Sequence, residues 1–270
     1  MYEDPGAELS VFPQAGRVLA IASAGDTAAA LARAGHRVTA VDISATQLAY
    51  AQARLAGAPT VTGTAERLMA VARRAAGLLV PGWRPAAMTR FLRMTDVDAQ
   101  RAHWRAHLDR PMLRALMRLA FATAGLVRRD LWRALPPRMD LVLRRRLEAG
   151  LTSHPNATNP WAWRLLLGGS TDETPVEGIE WVHADVVEHL RSVPRGWYDA
   201  VTLSNVLDGP PPEFAGALAA ALAHGVRPGG PVVLRTFRDT PPLPGDPLPD
   251  RSPLWGAVVR LHPLTLVPGT

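Results

Sequence analysis

Cysteine and lysine are both absent from the 270 residues. Without cysteine there is no disulfide, no thiolate metal ligand and no cysteine nucleophile, and nothing marks the redox compartment. Aromatic residues are scarce, at 6% of the chain. Few of them fall among the arginines and no RNA- or DNA-binding motif is present, so nucleic acid is not an expected partner. Long apolar runs are missing as well. The longest in the middle of the chain, Leu119 to Val127, has nine residues, where a membrane span needs about 20. Met1-Tyr-Glu-Asp lacks the basic and apolar regions of a signal peptide, and the expectation is a soluble cytoplasmic protein.

What is present is an apolar fraction of 47%, enough for one large α/β domain or a domain with a sizeable insertion. All 30 basic residues are arginine. Residues 89–150 carry 14 of them against six acids, a balance of +8, while the remainder balances at −2. That segment therefore faces either something anionic or water.

The chain is organised around residues 17–43. Val18 to Ala22 reads as a buried strand, Ser23-Ala-Gly25-Asp26 as a tight turn of small residues, and Thr27 to Ala34 as a helix ended by Gly35. His36 to Val41 is a second strand, stopping on Asp42. This is the first half of a nucleotide-binding βαβ unit, in which backbone N–H groups and a helix N-terminus can approach a ligand. Asp42, 17 residues beyond Gly25, stands where a carboxylate accepts hydrogen bonds from ribose hydroxyls. Many α/β domains carry such a turn with no nucleotide. The glycine fingerprint of NAD enzymes is missing, since Ala22 and Ala24 stand near where glycines belong. The turn is closer to the adenosylmethionine-binding turn of class I methyltransferases. Even there the acid expected at the end of the first strand is Ala20, which leaves Asp26 as a candidate to hold the amino-acid end of the ligand.

Ser44 caps a helix predicted to continue to Gly57. The next convincing strand, Gly178 to His183, comes more than a hundred residues later, so 65–170 reads as a helical insertion between 1–64 and 171–270. Within it, Gln100 to Leu108, Pro111 to Val127 and Met139 to Glu148 are helical, and His154 to Pro160 is a polar loop with Asx turns. Further strands are expected at Tyr198–Ser204, Pro231–Arg235 and Trp255–Leu261, with Pro-rich 240–253 as an ordered excursion or lid. Asp42, Asp185 and Ser204-Asn205 all follow strand carboxyl ends, where open α/β sheets bind ligands. Asp185 is placed to meet an adenine amino group. Each could be a helix cap and nothing more; together they favour a ligand crevice.

Segments throughout the chain resemble the family of the betaine-lipid enzyme adenosylmethionine:diacylglycerol 3-amino-3-carboxypropyltransferase and its bacterial relatives. The resemblance rests on Tyr2-Glu-Asp-Pro5, Ile21 to Asp26, Ala40 to Ser44 with Gln47-Leu48, Gln100-Arg101 and His107-Leu-Asp109. It continues through His154 to Pro160, Leu203 to Gly209, Val233-Leu-Arg235 and Asp250 to Gly256.

The resemblance implies a class I methyltransferase-like Rossmann sheet with a large helical insertion. The implied reaction moves the 3-amino-3-carboxypropyl group of adenosylmethionine to a hydroxyl or amine of a lipid or small molecule, and methylthioadenosine leaves. No metal is expected. The implied cofactor site comprises Ala22, Ser23, Gly25, Asp26, Asp42, Ile43 and Gln47, with Asp185, Val186, Ser204 and Asn205. His154, Glu3 and Asp4 are candidate general bases, and Asp208 joins the catalytic set. Tyr2, Asn156, Asn159 and Arg251 are implied on the substrate side. His154 and Asn156 are expected near the methionine end, with Glu3 or Asp4 receiving its ammonium and Arg251 pairing with the cofactor carboxylate or Asp208. For His154 the alternative is a loop imidazole packed on Trp161. The arginines of 89–150 either rest on anionic lipid, making the protein peripheral to a membrane, or form a solvated face. An ordinary methyltransferase and a non-catalytic adenosylmethionine-binding protein are the competing readings.

Overall fold

A computed structural model describes residues 3–58, 63–127, 138–168, 174–252 and 254–262. Seven short strands form the sheet: β1 Arg17–Ile21, β2 Arg37–Asp42, β3 Ile179–His183, β4 Ala200–Ser204, β5 Val232–Thr236, β6 Gly245–Pro247 and β7 Ala257–Leu261. Their spatial order is β3-β2-β1-β4-β5-β7-β6. The first five are parallel, and β7 runs antiparallel to both β5 and β6. Every residue of β4 and β5 is buried, as expected of parallel strands covered on both faces.

Helices α1 Gly6–Val11, α2 Asp26–Arg33 and α3 Ala45–Leu55 belong to the sheet's first half. Gly25 caps α2 at φ +88°, where a Cβ would also come within 3.1 Å of Leu55. Only glycine takes that conformation without strain. Ser44 caps α3 through its hydroxyl, which accepts from Gln47 N.

Between α3 and β3 lie α4 Thr64–Leu79, α5 Pro85–Leu92, α6 Val97–His103, a π-helical turn Trp104–Leu108, α7 Pro111–Val127, α8 Met139–Thr152 and α9 Pro160–Leu167. They gather a core of their own around Met88, Phe91, Trp104, Leu108, Leu151 and Leu165. Helices α10 Val186–Ser192 and α11 Glu213–Gly225 complete the α/β part and pack on the sheet through Leu190, Leu218 and Leu222.

Four details depart from the sequence reading. An N-terminal helix, α1, precedes β1. The helix begun at Met139 runs through Gly150 to Thr152. The polar stretch after His154 leads into α9, whose N-cap is Asn159. The Pro-rich excursion contains β6, a strand too short and proline-bounded to show an alternating pattern.

Candidate active site

A cleft of about 1050 Å³ opens at the carboxyl ends of β1 to β4, where the strand order reverses between β1 and β4, the usual ligand crevice of an open α/β sheet. Ser23 and Ala24 come from the β1–α2 turn, and Asp42, Ile43, Gln47 and Tyr50 from the end of β2 and from α3. Asp185 and Val186 follow β3, Ser204 and Asn205 end β4, and Glu3 reaches in from the N-terminal segment. Met69, Phe214, Phe237, Leu254 and Trp255 add apolar surface, with Phe237 and Trp255 stacked at 4.8 Å.

Two of these residues hold backbone that L side chains rarely adopt: Ser23 at φ +45° and Asn205 at φ +59°. Left-handed non-glycine residues cost energy and concentrate where function demands them. The Ser23 turn is fastened by its surroundings: Gln47 Nε2 donates to the Ser23 carbonyl at 2.5 Å, and Arg54 Nη1 donates to that of Ala24.

Asp42 Oδ1 accepts from Ser44 N at 2.9 Å, and among the described residues Oδ2 accepts nothing. One oxygen thus fixes the carboxylate and the other is available to a ligand at the cleft. Asp185 is arranged alike: Oδ1 caps α10 through Val187 N and Glu188 N, at 2.8 and 3.3 Å.

Glu3, a candidate from the sequence, forms a buried wall of the site. Its carboxylate, 6% exposed, accepts from Thr27 Oγ1 at 2.8 Å and from Ser204 Oγ at 2.6 Å. It therefore bridges the N-terminus of α2 to the end of β4, beside the strand end where Ala20 stands in place of an acid. Ala7 of α1 packs in one apolar cluster with the small Ala20 and Ala22, and the same N-terminal segment brings its own carboxylate.

A buried polar network holds the segment down. Arg235, at 0% exposure inside β5, donates from Nε to Glu8 Oε1 at 3.1 Å and from Nη2 to Glu8 Oε2 at 2.6 Å. It also donates to the Asp4 carbonyl. Arg251 forks onto Asp4, Nε to Oδ2 at 2.6 Å and Nη2 to Oδ1 at 2.8 Å. Burial raises the Asp4 pKa, but the Arg251 bond and charge outweigh it and hold the carboxyl below its ordinary value. Burial pushes Asp250 up to about 6, with Asp4 adding to the rise while Arg235 and Ser252 oppose it.

Several implied site residues lie elsewhere. Asp26 does not line the cleft: it is ion-paired to Arg54 at 2.6 Å, with Arg164 at 3.7 Å. Burial alone would raise its pKa, yet the charges around it, Arg54 among them, hold it well below the carboxylate range. Ala22 and Gly25 shape the turn from behind through Gly25 N→Ala22 O. Asp208 spends both oxygens on Thr236 Oγ1 and Phe237 N. Arg251 pairs with Asp4, and Asp208 with the end of β5, so the expected Arg251–Asp208 pair does not form.

His154 and Asn156 likewise stay out of the cleft lining. Gln100 Nε2 donates to the carbonyls of Leu151 and His154, its Oε1 accepts from Asn156 N, and Asn156 Nδ2 donates to Leu151 O. The His154 ring meets Ser153 Oγ at 3.0 Å. Asn159 caps α9 and donates from Nδ2 to the Arg251 carbonyl at 2.9 Å. The polar stretch therefore ties α6, α8, α9 and the C-terminal segment together. Tyr2 lies outside the described residues. Sequence reasoning missed Tyr50, Met69, Phe237 and Trp255 at the cleft and Arg54 beneath it. Arg54 could have been noticed, since it follows Ala51 by three residues on the apolar face of α3.

Residues 19–77 match the family model described as a methyltransferase domain. The stretch spans β1, α2, β2 and α3 and reaches into α4, so it contains the Ser23 turn and Asp42. The fold is class I methyltransferase-like. The strand order, with β7 reversed between β5 and β6, is that of this fold. Among solved structures, the chain is similar to an S-adenosylmethionine dependent methyltransferase from Mesorhizobium loti, at 13% identity and a TM-score of 0.35 over 97% of this chain and 75% of that one. No curated protein matches the chain.

Proposed function

We propose that the protein transfers the 3-amino-3-carboxypropyl group of adenosylmethionine to an acceptor hydroxyl or amine, releasing methylthioadenosine. The observation that carries this reading is Glu3. The cleft's buried carboxylate at the methionine end comes from the N-terminal segment and leans on Thr27 and Ser204, rather than from the end of β1. A methionine ammonium seated on Glu3 is held from the β4 side, a change of anchor that suits presentation of Cγ instead of the methyl group. On this reading Asp42 takes the ribose, Asp185 the adenine amino group, and Ile43 and Val186 the adenine faces.

The cleft is open and, at about 1050 Å³, lies at the upper end of the roughly 300–1000 Å³ typical of small-ligand sites. Its apolar surface at Met69, Phe237, Leu254 and Trp255 suits an acyl or other apolar acceptor. In the transfer the acceptor atom bonds to Cγ as the Cγ–S bond breaks. The electron pair of that bond goes to sulfur, which leaves as a neutral thioether, and the acceptor loses its proton to a base. In-line approach at about 3–3.5 Å is what binding must enforce. Of the three candidate bases, Glu3 is committed to the ammonium and Asp4 to Arg251, and His154 lies outside the cleft lining, so the acceptor proton passes to solvent in the open cleft. In this scheme 1–64 with 171–270 holds the donor and most of the apolar acceptor surface, to which 65–170 adds Met69.

Ordinary methyl transfer is the second reading, favoured by the methyltransferase-domain match over 19–77. The nucleoside released separates the two. Mass spectrometry of adenosylmethionine after incubation with enzyme and a lipid-containing cell extract is expected to reveal enzyme-dependent methylthioadenosine. Adenosylhomocysteine would assign methyl transfer, and neither product would mean a non-catalytic binding protein.

A further inference from the structure

Helix α4 has a second apolar face that no other described residue covers. Its inner side carries Ala76 and Val80, buried with Leu113 of α7, and Met69, which lines the cleft. Its outer side carries Leu68, Val71, Leu78 and Leu79, exposed at 60, 62, 81 and 52%. With Ala72 and Ala75 these recur at the three- and four-residue steps of a single helical stripe. Nine large hydrophobic residues are exposed among the described residues, and four of them are on this one helix. That is a patch rather than the ordinary scatter of surface leucines.

We propose that the outer face of α4 docks on an anionic lipid bilayer, lying in the interface with its leucines among the acyl chains. Charge selects this occupant. Arg67 and Arg74 lie along one edge of the stripe, both exposed, and among the described residues neither meets an acid. The adjoining α7 adds exposed Met112, while its Arg114 and Arg118 are exposed but paired with Asp109 and Asp140. A helix with an apolar stripe bordered by arginine is suited to an anionic interface, where each cation near the surface adds to the attraction. A second copy of the chain would bring the same arginines against one another. The opposite side of the helix meets the cleft at Met69, so docking would set the cleft's apolar surface near the membrane. The inference does not rest on the reaction proposed above, because docking is measured without turnover.

The test is co-sedimentation of the full chain with vesicles of phosphatidylcholine alone, or mixed with phosphatidylglycerol in about equal parts. Binding is expected only to the mixed vesicles, weakening with salt. Leu68→Glu with Leu78→Glu, and separately Arg67→Gln with Arg74→Gln, should each weaken it by about tenfold or more, with thermal unfolding unchanged because all four side chains are exposed. Equal binding by wild type and both variants would overturn the proposal. So would a self-associating chain that ignores vesicles and becomes monomeric with the glutamates, which would give the face to a second copy.

Discussion

Arg235→Leu is expected to destabilise the fold by about 3–5 kcal/mol, the usual cost of leaving one partner of a buried ion pair alone. Arg235 and Glu8 are both fully buried and make two hydrogen bonds to each other. Burial opposes the Arg235 charge, but Glu8 and then Asp250 outweigh it, so its pKa is raised and it stays charged. Chemical denaturation should therefore show a large drop in midpoint, and adding Glu8→Leu should recover part of it. A loss below about 1 kcal/mol would contradict the role given to this pair. The same measurement against pH tests Asp250. With a folded pKa of about 6 against an ordinary 3.8, the native state binds more protons than the unfolded state between those values. Stability from this group should then fall as pH rises from 4 to 6, and Asp250→Asn should remove that slope.

Glu3→Gln is expected to weaken adenosylmethionine binding about tenfold to a hundredfold, roughly 1.5–3 kcal/mol, the range for a hydrogen bond to a charged group. Glutamine can still accept from Thr27 or Ser204 with its carbonyl, so the N-terminal segment should stay in place and the unfolding midpoint should move little. Calorimetry on the folded variant separates the charge from the structure. Affinity equal to wild type would remove Glu3 from the methionine end and, with it, the main support for a changed anchor.

The sheet and its crevice were legible because both depend on short-range pattern. Short strand-like runs lead to Asp42, Asp185 and Ser204, and all three residues line the cleft. The N-terminal helix was not legible, since six residues carry no helical period. The polar partnerships were hidden for a different reason. Glu8 meets Arg235 across 227 positions and Asp4 meets Arg251 across 247, and only the folded topology pairs them. A buried arginine in a strand reads locally as a misfit, though it is the best hint the sequence offered of an acid arriving from elsewhere. His154 and Asn156 illustrate another limit of local pattern. Polar residues in an unusual cluster suggested chemistry, and the structure uses their amides and carbonyls to join helices.

The account depends above all on the carboxyl-edge cleft holding adenosylmethionine with its ribose on Asp42, whichever group is transferred. Isothermal titration of the purified chain with adenosylmethionine, repeated on Asp42→Ala, measures this directly. Asp42 contributes one fixed and one open oxygen, so its loss should leave the fold intact. The account predicts saturable binding by wild type and a loss of about 1–3 kcal/mol in the variant, the penalty for unpaired ribose hydroxyls. No binding by wild type, or equal affinity in a folded Asp42→Ala chain, would contradict it.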